Sequence, residues 1–248
     1  MSEHEFEVRF TLKSAPQIKL LFEGAVKIDD LEIEAQEGKI VGKTSISIDM
    51  DDPELAKRQA IDKIEELATI LTLIFGTAYE TYDLSVVHKP IIEKTETGQK
   101  ISIFDTIHIA EGVAVIKRTS KEIIEEQYNF WRDKIRKLED REVLIRALKW
   151  WRRGSLDEDK VDKFMHYFIV LELLASKYSQ RDIEKFCNEY GIKYRPDGGH
   201  TLKDVRNTLI HDINEGKDLA EEWARKFADT LGYEIFKAIK KIIEKAYN

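Results

Sequence analysis

Apart from one helical stretch, the hydrophobic pattern keeps the period of a strand until about Thr119 and has the period of a helix after it, and this change constrains the fold more than any other feature. Before it, apolar residues recur at every second position, as in strands with one buried face. After it, they recur at steps of three and four, as in helices. The sequence therefore predicts an α+β fold, in which an antiparallel sheet with one packed helix is followed by an all-helical bundle. Its 248 residues are enough for two domains.

The clearest strand signal covers residues 5–13, where polar and apolar residues alternate without error. Shorter alternations occur at residues 18–22, 31–33, 46–48, 84–86, 101–103, 107–109 and 113–115. Glu37-Gly38 and Thr97-Gly98 are typical of turns between such segments. Short strands joined by turns favour an antiparallel sheet.

One helix interrupts the strands, at residues 53–75. Asp52 is a favourable capping residue, Pro53 suits the first helical position, and Glu54 lies near the positive helix end. The surrounding acidic run, DMDDPE, resembles a cation site but lacks the ligand spacing of a calcium loop. We therefore interpret it as a helix cap. Apolar residues dominate the second half of the helix, as expected for a helix laid across a sheet.

The remaining segments have helical periodicity, at residues 121–136, 139–153, 157–178, 180–190, 201–213 and 217–247. Breaks are predicted at Gly154-Ser155, at Gly191 and through RPDGGH, because glycine and proline interrupt helices. We expect an α+β domain of unknown role at 1–120, a connecting helix at 121–137 and a helical bundle at 138–248.

Charge is distributed unevenly between the two halves. Residues 1–120 hold 14 Lys and Arg against 22 Asp and Glu, and residues 121–248 hold 26 against 25. A uniformly basic nucleic-acid binder is therefore not expected, although a local basic groove on the helical half remains compatible with these numbers.

The sequence also argues against several other classes of protein. The longest dense apolar run, LATILTLIF, is too short to span a bilayer, and the first residues do not form a signal peptide. We therefore expect a cytoplasmic protein without a membrane partner. The single cysteine, Cys187, excludes an internal disulfide and follows a helical packing pattern. The chain has no phosphate-binding glycine loop, dinucleotide fingerprint or serine elbow, and we expect neither a metal nor a cofactor.

The segment at residues 201–213 carries polar residues that its own core does not require. On a helical wheel Leu202, Val205, Leu209 and Ile213 fall within roughly one 80° sector. Asn207 and His211 lie nearly opposite, and Arg206 lies at the boundary. The directions of Arg206 and His211 differ by about 140°, so a second surface is needed to bring both to one small group.

These residue types suit the cleavage of an RNA phosphodiester. Internal attack needs a base for the 2′-hydroxyl proton, and histidine titrates near neutrality. It also needs a cation at phosphorus, and the arginine fork donates two hydrogen bonds to phosphate oxygens. We predict His211 as the proton-transfer residue and Arg206 as the phosphate stabiliser, with Asn207 orienting His211 through a hydrogen bond. The alternative is structural: an ion pair of Arg206 with Asp204, Glu172 or another carboxylate, and surface or subunit-interface hydrogen bonds for Asn207 and His211.

The six residues RNTLIH, from Arg206 to His211, resemble the Arg-polar-x-x-x-His motif of the HEPN superfamily, the higher eukaryote and prokaryote nucleotide-binding domain. REVLIRALKWW and DEDKVDKFMHYFIVLELL are similar to the first two long helices of several prokaryotic members. The resemblance covers residues 138–248 only. It implies a metal-independent endoribonuclease whose active site forms at a homodimer cleft from the motifs of two chains.

Other charged residues are candidates for supporting roles. Glu172 lies in the apolar stretch FIVLELL and should pair with the Arg206 helix, because burying a lone carboxylate is costly. Arg152 and Arg153 follow two tryptophans and would line a substrate groove, although core packing and helix-end charge explain the same run. His166 fits an ordinary packed or surface histidine.

A non-catalytic protein is the alternative from a different class. In that reading the helical dimer is a scaffold or nucleotide-binding module of a toxin–antitoxin or antiviral defence system. The acidic first domain would then recognise a protein or small ligand.

Overall fold

The computed structural model describes residues 4–14, 18–36, 39–50, 52–88, 115–196, 199–211 and 216–246. Within them the strands are β1 (His4–Ser14), β2 (Ile18–Leu21), β3 (Val26–Ile28), β4 (Leu31–Gln36), β5 (Lys39–Ile48), β6 (Tyr79–His88) and β7 (Val115–Arg118). The helices are α1 (Pro53–Phe75), α2 (Lys121–Arg136), α3 (Arg141–Leu156), α4 (Lys160–Tyr178), α5 (Ile183–Tyr190), α6 (Leu202–His211) and α7 (Lys217–Lys245). The predicted α+β class, strands first and helices after, is confirmed.

Contacts divide the chain into two compact units. The first contains Met1–Glu65 and Thr81–Ile124, and the second contains Glu66–Glu80 and Glu125–Asn248. This grouping assigns residues 66–80 to the helical unit, whereas the sequence pattern placed them in the first domain. The domain boundaries at 120 and 137 stay a prediction.

The first unit is built on a five-stranded sheet in the order β3-β4-β5-β1-β6. Strand β5 pairs antiparallel with both β1 and β4, and β3 pairs antiparallel with β4. The predicted alternation in β1 is confirmed, since Phe6, Val8, Phe10 and Leu12 are all buried. Phe10 lies opposite Gly42 of β5, where a Cβ would come within 2.4 Å of its ring. The glycine therefore makes room for a core aromatic.

A second pairing in this unit differs from the expectation. Strands β2 and β7 form a two-stranded parallel sheet, not part of an antiparallel one. Parallel neighbours need a long connection, and nearly a hundred residues separate these two in the chain. The predicted strands at 101–103 and 107–109, and the turns at Glu37-Gly38 and Thr97-Gly98, lie outside the described residues.

The predicted cap of α1 is confirmed. One carboxylate oxygen of Asp52 accepts the backbone N–H groups of Glu54 and Leu55, each at 3.0 Å. Lys63 pairs with Asp30, which precedes β4. Residues 67–73 of this helix are buried on every side, as their apolar composition requires.

The helical unit packs closely around Tyr167 of α4. Helix α3 continues to Leu156, so the predicted break at Gly154-Ser155 is wrong. A Cβ at Gly154 would lie 2.9 Å from the Tyr167 ring, and one at Gly232 of α7 only 2.4 Å from it. Both glycines therefore serve helix–helix packing. Among the described helices, none combines the length and apolarity needed to cross a membrane.

Candidate functional site

Helix α6 begins with a capping box. The Thr201 hydroxyl accepts the Asp204 N–H at 3.0 Å, and the Asp204 carboxylate accepts the Thr201 N–H at 2.9 Å. Hydrogen bonds that the Asp204 carboxylate accepts from Thr201, first from its side chain and then from its backbone, hold the pKa of Asp204 below its ordinary value. Asp204 is thereby committed to the cap, and the ion pair with Arg206 that the sequence allowed does not form.

The apolar face of α6 is partly as predicted. Leu202 and Val205 are buried, whereas Leu209 is half-buried and Ile210 is 46% exposed. Ile213 lies outside the described residues. The last turn of the helix is therefore more open than the first, and it is the turn that carries His211.

Arg206 is oriented by three neighbours. Its Nη1 donates to Asn207 Oδ1 at 3.1 Å, and its Nη2 lies 3.6 Å from Glu172 Oε1. The guanidinium also lies over the ring of Phe168, 5.7 Å from the ring centroid. The side chain is nevertheless 28% exposed. A preorganised and accessible guanidinium is suited to receiving an anion.

Two supporting residues are in positions that the sequence predicted only in part. Glu172 pairs with Arg206 as expected, but its side chain is 43% exposed, so the expectation of a buried carboxylate was wrong. The amide oxygen of Asn207 accepts from Arg206, and no hydrogen bond joins it to His211 within the described residues. Asn207 therefore orients the arginine, not the histidine.

His211 is the last residue of α6 and is exposed. No hydrogen bond or ion pair of its imidazole involves the described part of the chain. The helix is continuous from Arg206 to His211, so the two side chains leave it in directions about 140° apart. The structure thus brings together Arg206, Asn207 and Glu172, and leaves His211 apart from them.

Of the two predicted groove arginines, only Arg153 is accessible. Arg152 is 5% exposed and its Nη1 donates to the Tyr79 carbonyl at 3.2 Å. A side chain in that position supports the core and is not accessible to a substrate, so the prediction that Arg152 lines a substrate groove is wrong. Arg153 is exposed, and its guanidinium carbon lies 4.8 Å from the centroid of the Trp150 ring.

His166 is an ordinary packed histidine, as expected. Its Nδ1 lies 2.5 Å from Asp157 Oδ2, and its ring lies 5.3 Å from that of Trp150. Among the described residues, no cluster of three or more His, Cys, Asp or Glu side chains has the geometry to hold a metal ion.

An open groove of about 490 Å³ lies beside Glu172, and sequence reasoning missed it. Its lining residues are Ile169, Glu172, Leu173, Ser176, Arg181, Ile183 and Lys203. The one feature of the sequence that could have indicated this groove is Lys203, which lies one helical turn before Arg206. The position of Arg181 depends on the turn between α4 and α5, and nothing local in the sequence indicates it.

Cys187 is fully buried, and burial, with Glu234 and Glu184 nearby, raises the pKa of its thiol to about 12. At pH 8 such a thiol is almost entirely protonated, and the thiolate is the reactive form. We therefore expect the native protein to react with a thiol reagent such as dithionitrobenzoate orders of magnitude more slowly than the unfolded chain. Rapid stoichiometric labelling without denaturant would contradict the packing role.

Comparison with known protein families, with curated proteins and with solved structures found no match for this chain.

Proposed function

We propose that the protein is a metal-independent endoribonuclease of the HEPN type, acting as a homodimer. The observation that carries the proposal is the polar edge of α6, where a guanidinium held by Asn207 and Glu172 remains accessible and an exposed imidazole ends the helix. The motif resemblance of residues 206–211 supports the same assignment.

In this mechanism His211 takes the proton of a ribose 2′-hydroxyl, and the 2′-oxygen attacks the adjacent phosphorus. The bond from phosphorus to the 5′-oxygen breaks, and a proton returns to that oxygen. The products are a 2′,3′-cyclic phosphate and a 5′-hydroxyl. Arg206 stabilises the negative charge that develops on the phosphoryl oxygens in the transition state. Electrostatic stabilisation of this kind is usually the largest single contribution to catalysis.

The ion pair between Arg206 and Glu172 is compatible with this role. Both side chains are partly exposed, and an exposed pair contributes only about 0–1 kcal/mol. A phosphate oxygen can therefore replace the carboxylate at little cost, and the hydrogen bond from Arg206 to Asn207 would keep the guanidinium in place.

A second copy of the chain supplies the missing geometry. Because Arg206 and His211 point about 140° apart on one continuous helix, a single chain does not direct both at one phosphate. A two-fold contact along α6 would place the His211 of one protomer beside the Arg206 of its partner.

End-group analysis tests the reaction. Incubating the protein with a mixed RNA pool in EDTA should yield fragments with 2′,3′-cyclic phosphate and 5′-hydroxyl ends. Fragments with 5′-phosphate ends, or RNA that remains intact, would contradict the proposal.

The Arg206–Glu172 ion pair also favours a second candidate, a non-catalytic module for dimerisation, nucleotide binding or partner sensing. In that case the pair is a permanent structural contact. Such a protein would leave RNA intact, and a ligand or protein partner would bind through residues 1–120.

A further inference from the structure

The groove beside Glu172 is built from three consecutive helices of the helical unit. Helix α4 contributes Ile169, Glu172, Leu173 and Ser176, which lie on one face at steps of three and four residues. Ile183 comes from the start of α5, and Lys203 comes from the first turn of α6. The aliphatic lining residues Ile169, Leu173 and Ile183 are half-buried, whereas the charged ones are exposed. The floor of the groove is therefore aliphatic, with charged groups at its rim.

Two cations at the rim have no anionic partner. Neither Arg181 nor Lys203 forms an ion pair within the described residues, and both are exposed. The one carboxylate of the groove, that of Glu172, is already paired with Arg206. A ligand that complements this lining has an apolar face and two negative charges.

The position of Arg181 is held by the backbone. Gln180 and Arg181 have φ angles of 53° and 71°, both in the left-handed region that non-glycine residues rarely adopt. The Arg181 N–H donates to the carbonyl of Ala175 at 3.0 Å, which fixes this turn against the end of α4. A non-glycine residue kept in a costly conformation at the rim of a groove is consistent with a binding role.

The groove also adjoins the candidate phosphate-binding residue. Lys203 and Arg206 lie one turn apart on α6, an axial rise of about 4.5 Å. Glu172 belongs to the groove and contacts Arg206. A strand with one phosphate at Arg206 would therefore bring a neighbouring nucleotide to the groove.

We propose that this groove binds one nucleotide of the RNA strand, next to the phosphodiester held by Arg206. The ribose or base contacts the aliphatic floor of Ile169, Leu173 and Ile183, while Arg181 and Lys203 contact the flanking phosphates. A volume of about 490 Å³ suits a group of this size. The proposal rests on the proposed function for its substrate, but binding can be measured without cleavage.

The test uses a fluorescent 2′-O-methyl RNA dodecamer, which cannot undergo internal attack. Its affinity for the protein is measured by fluorescence anisotropy over a range of salt concentrations. The variant Arg181→Gln with Lys203→Gln should bind about tenfold or more weakly at 0.1 M salt and lower the salt slope by about 1.4, since each contact to a single strand contributes roughly 0.7. The control, Arg146→Gln with Lys149→Gln, removes the same charges from exposed positions of α3 and should bind as the wild type does.

The outcomes separate this proposal from the proposed function. Equal losses in the groove and control variants, no loss in either, or no binding by the wild type would overturn the groove assignment. RNA cleavage combined with normal binding by the groove variant would overturn it and leave the nuclease standing. A selective loss of binding in a protein that never cleaves RNA would support the groove and defeat the nuclease.

Discussion

Replacing Gly232 by alanine is expected to lower the free energy of unfolding of the helical unit by about 2 kcal/mol. The new Cβ would lie 2.4 Å from two carbons of the buried Tyr167 ring. The ring cannot move away from this Cβ, because Gly154 of α3 lies close to its opposite edge. Overpacking of this kind costs about 1–3 kcal/mol. Helix propensity alone would predict a gain of about 1 kcal/mol, so the sign of the change identifies the cause.

Urea denaturation followed by tryptophan fluorescence measures this effect, since Trp131, Trp150, Trp151 and Trp223 all belong to the helical unit. The control is the same substitution in a Tyr167→Leu background, where the clash is removed. There the cost of Gly232→Ala should largely disappear. An equal cost in both backgrounds would show that the contact with Tyr167 is not its cause.

Strand β1 and the cap of α1 were predictable because their signals are local. The alternation that buries Phe6 and Phe10 follows directly from the two-residue period of a strand. The cap of α1 depends on Asp52 and on the backbone N–H groups of Glu54 and Leu55, which lie two and three residues later in the sequence. In both cases, residues close together in sequence determine the local structure.

The errors concern residues whose environment comes from distant parts of the chain. From its neighbours in sequence, Gly154 is expected to end a helix. Its role is instead to leave room for the Tyr167 ring of the next helix. Arg152 looks like a surface cation until the Tyr79 carbonyl, 73 residues away, accepts its hydrogen bond. The parallel pairing of β2 with β7 likewise depends on a long-range contact that periodicity does not encode.

The candidate site shows the same division. The polar edge of α6 was predictable from helical spacing, and the pairing of Glu172 with Arg206 was predicted correctly, although the carboxylate is exposed and not buried as the prediction assumed. The partner of Asn207 was not predictable, because helical spacing alone does not determine that its amide oxygen accepts from Arg206 and not from His211. The groove depends on Arg181, whose turn conformation has no sequence signal.

Replacing His211 by alanine is expected to reduce RNA cleavage by about 10²–10⁴-fold, the usual contribution of a general acid or base. Because His211 is exposed and has no hydrogen-bonding partner among the described residues, its removal should leave stability nearly unchanged. Initial cleavage rates and a urea titration measure the two quantities side by side.

The matched control for His211 is His200→Ala. His200 is also exposed and lies outside the candidate site. The centroid of its ring lies 3.7 Å from that of Trp223. This variant should cleave RNA as the wild type does. A similar fall in rate for both histidine variants would indicate a general loss of the fold or of RNA binding, and not a proton-transfer role.

The central claim is that Arg206 and His211 promote attack by a ribose 2′-hydroxyl. The most direct measurement is the initial rate, in EDTA, at which wild type and His211→Ala cleave one RNA and its 2′-O-methylated copy. We expect the wild type to cleave the unmodified RNA, His211→Ala to cleave it about 10²–10⁴-fold more slowly, and neither protein to cleave the methylated copy. Equal rates for the two proteins, or cleavage of the methylated copy, would contradict the claim.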